Sequence, residues 1–304
     1  MRKSRIIAGL GLTAAALLTL TACNSGTPGT SPSGDATEGA SDDGTWFEVA
    51  TDVTIDGSPT FDAITERGSV KVGVKEDQPG LGYLDPTTNE RSGFDVDIAR
   101  WIAASLGYDE DKIEFTAIPS ANREQAIVNG DVDYYVGTYS ITDARKEQIS
   151  FAGPYFVTGQ GLLVAADNED ITGPDDLAGK NVCSATGSTS IQRIKDKYPD
   201  ATTTEFDTYS QCVEQLKNGQ VDAVTTDEAI LIGFAAQDPD NLKVVGEPFS
   251  EECYGVGLAK GDTALQEFIN TMFTDNPEIW QAIFDKNLGP AGVEGEQPVV
   301  DPIN

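Results

Sequence analysis

Apolar positions recur along this chain in short blocks of two different periods. Val70-Lys71-Val72-Gly73-Val74 is β-branched and nearly unbroken, and it predicts a strand. Phe94, Ile98, Trp101, Ile102 and Leu106 fall at helical spacing, with Gly107 as a C-terminal stop, and predict a helix that buries this face. Residues 115–118 and Tyr134-Tyr135-Val136 read as further strands. Val182 begins another short strand, followed by Gly187-Ser188-Thr189 and a helix to about Tyr198. Residues 209–218 are helical again, with Cys212, Val213 and Leu216 on one face. Strand-like and helical blocks alternate throughout, which predicts an α/β fold.

The alternation contains an echo. Asn129-Gly130-Asp131-Val132-Asp133-Tyr134-Tyr135-Val136 is matched by Asn218-Gly219-Gln220-Val221-Asp222-Ala223-Val224-Thr225. Each copy reads as helix stop, tight turn and strand. Carrying the register forward pairs Thr138 with Asp227, both beyond the carboxyl end of a strand, where α/β sheets bind ligands. The echo predicts two similar α/β lobes facing each other across a cleft.

The N-terminus is patterned differently. Arg2, Lys3 and Arg5 precede an apolar, uncharged run over residues 6–20, short for a membrane span and suited to a signal peptide. Leu20-Thr21-Ala22-Cys23 resembles the bacterial lipobox, which implies a signal peptide over residues 1–22 and a lipid on Cys23. Residues 23–45 are rich in Gly, Ser, Thr, Pro and acid, without an aliphatic pattern. They read as a flexible tether with a reach on the order of 25 Å.

Charge narrows the choice of partner. The chain has 20 basic and 50 acidic residues and no histidine. Loss of residues 1–22 would leave 17 bases against 50 acids, which argues against nucleic acid. Any anion site must therefore rely on local positive charge within a screening length of about 8–10 Å. Without histidine the usual general base and the commonest metal ligand are missing. The four cysteines are too widely spaced for a zinc pattern. No catalytic residue, metal or cofactor is expected.

The positive charge appears beyond the strand at Tyr134-Tyr135-Val136. Thr138-Tyr139-Ser140-Ile141-Thr142-Asp143-Ala144-Arg145 delivers hydroxyls and then a guanidinium, the group best shaped to hold a carboxylate by two bonds. Alone, Arg145 is equally well a surface arginine in a loop. Together with Val72-Gly73-Val74-Lys75, residues 79–83, Gly93-Phe94-Asp95-Val96-Asp97, residues 140–155, Gly187-Ser188-Thr189, residues 221–227 and Tyr254-Gly255-Val256-Gly257, it resembles the family 3 extracellular solute-binding proteins, the amino-acid receptors of ABC importers. The resemblance spans residues 60–287. It implies a periplasmic-binding-protein-like type II fold: two α/β lobes joined by a hinge that the chain crosses twice, near residues 157–161 and 251–254. The expected divisions are 46–160 for the first part of lobe 1, 161–252 for lobe 2, 253–288 for the C-terminal part of lobe 1, and 289–304 for a tail.

The resemblance also implies roles at named positions. Arg145 should hold the α-carboxylate of an amino acid. Ser140 and the carbonyl of Thr138 should meet its α-amino end. Thr189 and the amides of Gly187 and Ser188, at a helix start, should close on the same carboxylate. Asp227 should pair with the α-ammonium. By themselves the Gly-Ser-Thr run and Asp227 are equally ordinary helix caps. Ser120-Ala121-Asn122-Arg123 resembles the S/T-x-N-R element of acidic amino-acid receptors, and Lys75 follows a strand where this family often reads the ligand side chain. Lys75, Arg123 and Arg145 against Asp227 give a site of +2, which suits glutamate over a neutral amide such as glutamine or asparagine; aspartate carries the same charge and is separated from glutamate only by the length of the cleft.

If Cys23 is lipidated, Cys183, Cys212 and Cys253 remain, and one disulfide with one free thiol is the simplest account. Cys183 lies at a strand end and Cys212 early in a helix of the second lobe, so Cys183–Cys212 is favoured over Cys183–Cys253. The expected protein is a monomeric lipoprotein on the outer face of the cytoplasmic membrane. It would hand its ligand to permease subunits by hinge closure. A sensing module for a membrane receptor would use the same binding chemistry, whereas no acid–base pair supports an enzyme.

Overall fold

The computed structural model describes residues 47–301. The expected signal peptide, Cys23 and the whole tether lie outside the described residues. In chain order the regular elements begin with α1 (Pro59–Arg67), β1 (Val70–Val74), β2 (Asp77–Gln78), β3 (Gly82–Leu84), β4 (Arg91–Ser92) and α2 (Phe94–Ser105). There follow β5 (Ile113–Ala117), α3 (Arg123–Asn129), β6 (Tyr134–Tyr135), α4 (Asp143–Lys146) and β7 (Ser150–Thr158). The second lobe holds β8 (Gln160–Ala165), β9 (Asn181–Ala185), α5 (Thr189–Lys197), β10 (Thr202–Phe206), α6 (Tyr209–Lys217), β11 (Ala223–Asp227), α7 (Glu228–Gln237) and β12 (Leu242–Val245). The chain then returns through β13 (Glu252–Leu258), α8 (Thr263–Asp275) and α9 (Pro277–Asn287).

Two five-stranded sheets result, ordered β5-β1-β6-β13-β7 and β10-β9-β11-β8-β12. In each, three parallel strands are continued by two that join through antiparallel pairing. The sheets share one plan, and β6 and β11 occupy its centre. The Asn-Gly-x-Val-Asp echo is therefore a structural one. Gly130 and Gly219 take positive φ, 72° and 66°, where a Cβ would be strained. Val132 and Val221 are buried. The carboxylate of Asp133 accepts from Lys71 N at 2.7 Å at the start of β1, and that of Asp222 from Asn181 N at 2.6 Å at the start of β9. Each aspartate thus ties its own strand to the neighbouring parallel one.

The chain leaves the first sheet at β7, passes Gly159 and enters the second at β8; residues 246–251 carry it back to β13. Helices α8 and α9 then pack on the first lobe, α8 against β7 and α9 against α2. Trp280 is fully buried and donates its indole N–H to Tyr155 O at 2.7 Å, with its ring edge-on to Phe94. The stretch after residue 288 lies along this lobe. Gln297 Nε2 donates to Phe273 O at 2.6 Å and Asp301 N to Gly153 O at 3.1 Å, and Val293 and Val300 pack against the core.

Cys183 on β9 and Cys212 on α6 form a disulfide with their Cα atoms 5.5 Å apart, and Cys253 is a free thiol. The bridge closes a loop with a sequence separation of 29. Loop-closure entropy for that span contributes roughly 3–4 kcal/mol. Replacing both cysteines by alanine should lower the unfolding free energy in urea by about that amount while leaving the fold intact. A variant as stable as the parent would show that the bond contributes nothing to the stability of the second lobe.

Candidate functional site

Strands β1, β5 and β6 run parallel, so their carboxyl ends open on one side of the first sheet. Lys75 follows β1, Ser120 and Arg123 follow β5, and the segment from Thr138 to Arg145 follows β6. Thr142 caps α4 by accepting from Arg145 N at 3.3 Å, which sets Arg145 on its single turn. From the second sheet Gly187, Ser188 and Thr189 follow β9, and Asp227 ends β11.

The three expected cations cluster out of water: Lys75 is 5 % exposed, Arg123 2 % and Arg145 8 %. Lys75 Nζ donates to Ser120 Oγ at 2.8 Å. Arg123 donates to Ser120 O at 3.1 Å and Thr138 O at 3.2 Å. Arg145 donates to Ser140 O at 2.6 Å and pairs with Glu124 at 3.1 Å. Both guanidiniums stand over the Tyr139 ring, 4.3 and 4.9 Å from its centroid, where the π-face offsets part of their desolvation. Both also reach across to the second lobe, donating to Gly187 O at 3.2 Å from Arg145 and 3.5 Å from Arg123.

The second lobe answers with an acid. Asp227 occupies the N-cap position of α7 yet makes no capping bond with its side chain, so the plain cap reading does not hold. Its Oδ2 accepts from Tyr254 OH at 2.6 Å. Its Oδ1 is buried and has no hydrogen-bond partner among the described residues. Ser188, by contrast, is a true cap: its hydroxyl accepts from Ile191 N, and its own amide donates to Ala185 O. The Ser188 amide is therefore already engaged, and Gly187 and Thr189 are left as the open positions of that run. The Thr189 hydroxyl donates to Glu252 Oε2 at 3.0 Å, a carboxylate that also accepts from Arg193 at 3.1 Å.

Several groups at the site escaped the sequence reading. Asp95 is fully buried and accepts from Tyr155 OH at 2.8 Å and Thr138 N at 2.9 Å. It thereby holds Thr138 in a left-handed conformation, φ 46°, with the Thr138 carbonyl turned to Arg123. Asp95 stood in the Gly-Phe-Asp-Val-Asp segment without a role, and nothing in its spacing singled it out. Gln78 is fully buried, and neither atom of its amide has a partner among the described residues. It lies opposite Gly82, where a Cβ would come within 2.9 Å of Lys75 Cβ, so it shares the face from which Lys75 rises. Glu124, Glu252 and Asp95 also correct the charge count. The +2 from four residues omitted three carboxylates, one of them paired with Arg145 itself.

Electrostatics follows from burial. Desolvation, with Arg123 next in weight, lowers Lys75 to about 7. Desolvation, then the nearby Glu252, raises Asp227 to about 7, and desolvation raises Asp95 to about 6. Arg145 is also pushed below its usual value by burial and by Arg123. An open groove of about 560 Å³ between the lobes is lined by Glu124, Arg145, Gly187, Thr189 and Arg193, so of the three cations Arg145 is the one that borders it.

Residues 70–290 match the family model of the bacterial extracellular solute-binding proteins, family 3. The glutamate-binding protein GluB of Corynebacterium glutamicum is 41 % identical over 97 % of this chain and 94 % of its own length. A glutamine-binding protein of Geobacillus stearothermophilus is 42 % identical over 67 % of this chain and 78 % of its own. Among solved structures, an ancestral arginine-binding protein bound to arginine superposes with a TM-score of 0.68 at 35 % identity, covering 73 % of this chain and 99 % of that one.

The two shifted groups predict a proton signature. A ligand that brings a carboxylate to Lys75 raises its pKa, so binding takes up a proton above pH 7, where free Lys75 is mostly neutral. A ligand ammonium beside Asp227 lowers that pKa, so binding releases a proton below pH 7, where free Asp227 is mostly protonated. Calorimetry with L-glutamate as probe, in pairs of buffers of different ionisation enthalpy, should show net release at pH 6 turning to net uptake at pH 8. The change across that range should approach about one and a half protons. Heats independent of buffer at both pH values would refute the linkage.

Proposed function

This chain belongs to the bacterial extracellular solute-binding proteins, family 3, and we propose that it captures L-glutamate outside the cytoplasm for an ABC importer. The observation that carries the reading is the buried cation cluster of the first lobe facing the unpartnered Oδ1 of Asp227 in the second. An amino acid with a second carboxylate supplies two anionic groups to the one and an ammonium to the other. Arg145, with Thr189 and the Gly187 amide, serves the α-carboxylate. Asp227, Ser140 and the Thr138 carbonyl serve the ammonium. Lys75, Arg123 and Ser120 serve the side-chain carboxylate, and the Ser188 cap holds the helix start in place.

Two lobes that each hold part of one ligand favour a closed state when it binds, and the closed state is what a permease would read. Binding proceeds without chemical change, the ligand being held and released intact. Cys23 is the lipid attachment point, and the protein works as a monomer tethered at the membrane; among the described residues no helix is long and apolar enough to cross one.

Glutamate over glutamine rests on Lys75 and Arg123. A neutral amide leaves part of their charge buried without a partner, and an unpaired buried charge costs about 3–5 kcal/mol. Lys75→Met and Arg123→Met should each weaken glutamate by ~10²-fold or more while changing glutamine by far less. Equal losses for both ligands in isothermal titration would remove the charge argument. Tighter binding of glutamine than glutamate by the parent protein would reassign the ligand.

A further inference from the structure

We propose that Asp77, Pro79 and Gly233 form a latch between the lobes that sets ligand affinity without contributing a ligand contact, an inference that rests on the binding role argued above. The segment from Asp77 to Gly80 is a short finger of the first lobe. It is anchored from behind: Gly80 O accepts from Phe94 N at 2.9 Å, and Leu81 N donates to Gln78 O at 3.1 Å. The finger packs against α6 and α7 of the second lobe.

Two contacts make the fit. Asp77 Oδ2 accepts from Ser210 N at 3.0 Å, in the first turn of α6. Thr208 already forms a capping box there, so Asp77 supplies a further acceptor, across the cleft, to a helix end that favours negative charge. Pro79 sets its carbonyl against the middle of α7. A Cβ built on Gly233 would lie 2.3 Å from Pro79 O, below the 3.0 Å that real Cβ atoms respect. Glycine in a helix interior is worse than alanine by roughly fivefold in the folding equilibrium. Nothing within α7 requires it, since its φ is not in the left-handed region. The reason for glycine is the approach of the other lobe.

The same pattern recurs nearer the ligand groups, where a Cβ on Gly187 would lie 2.7 Å from Ala121 Cα. Gly187 belongs to the proposed binding set, so it cannot separate closure from contact. Gly233 can. Alanine there leaves every ligand-facing group in place and improves helix propensity, yet it forces the backbones apart by roughly 1 Å at the point of closest approach.

The test is Gly233→Ala in the full chain. The ligand-free protein should melt no lower than the parent. Affinity should fall about tenfold or more, by the same factor for glutamate and glutamine. The ligand-induced decrease in radius of gyration by small-angle scattering should shrink. Asp77→Asn provides a second measurement. Acting through the latch, it should weaken both amino acids equally, by roughly two- to fivefold. Acting through the charge of nearby Lys75, it would weaken glutamate alone. Unchanged affinity and compaction in Gly233→Ala, or a loss confined to one ligand in either variant, overturns the latch. A ligand other than glutamate for the parent protein would revise the proposed specificity and leave this test standing, run with that ligand.

Discussion

The arrangement turns on three like charges held together out of water. Lys75, Arg123 and Arg145 sit in one cluster, where Arg123 and Arg145 disfavour the charged form of Lys75 and Arg123 that of Arg145. Much of the first lobe around them works to make this tolerable. Carbonyls of Ser120, Thr138 and Ser140 turn inward as acceptors, Tyr139 lays its ring beneath both guanidiniums, and Glu124 pairs with one of them. These are neutral or partial compensations, apart from Glu124 and the buried Asp95. On the proposed reading the carboxylates of the ligand complete the balance, and the cluster is half of a site rather than a structural network.

The plan of the fold was legible in short patterns with a strict physical cause. The Asn-Gly-x-Val-Asp echo predicted two matched lobes, and Asp133 and Asp222 explain why it recurs. Each accepts from the backbone at the start of the next parallel strand just before its own strand begins. The strand-end positions of Lys75, Arg145 and Asp227 followed from the same logic, since in a parallel sheet sequence order places all carboxyl ends on one side. The Cys183–Cys212 pairing was legible because both cysteines fall in one lobe, although Cys183 sits in the middle of β9 rather than at its end, with Cys212 one turn into α6; Cys253 lies on the return strand.

What stayed hidden depends on contacts between distant segments. Asp95 acts on Thr138 through a single amide, 43 residues away, and no local pattern marks it. Glu252 takes the hydroxyl of Thr189 from the far side of the hinge. The order of the tail after residue 288 was not legible because it lacks periodicity; residues 289–301 are held by isolated side-chain and backbone bonds that leave no repeat. Gly233 is the sharpest case. Within its own helix it reads as a weak point, and only the carbonyl of another lobe explains it.

These contacts divide the work of recognition unevenly. The first lobe carries all three cations and is built around them, whereas the second supplies one acid and a helix start. On the proposed reading the α-carboxylate meets Arg145 of the first lobe and the helix start at Gly187 and Thr189 of the second, and the ammonium meets Asp227 of the second and Ser140 of the first. Both groups then gain contacts when the lobes close. A ligand shifts a conformational equilibrium only by the difference in its affinity for the two states. On the proposed reading that difference resides in the ligand's own contacts with Asp227 and the Gly187–Thr189 helix start, while the Arg145 and Arg123 bonds to Gly187 O join the lobes directly. On the same reading the side-chain carboxylate chooses which amino acid enters, and the α-carboxylate and ammonium together draw the lobes shut on it.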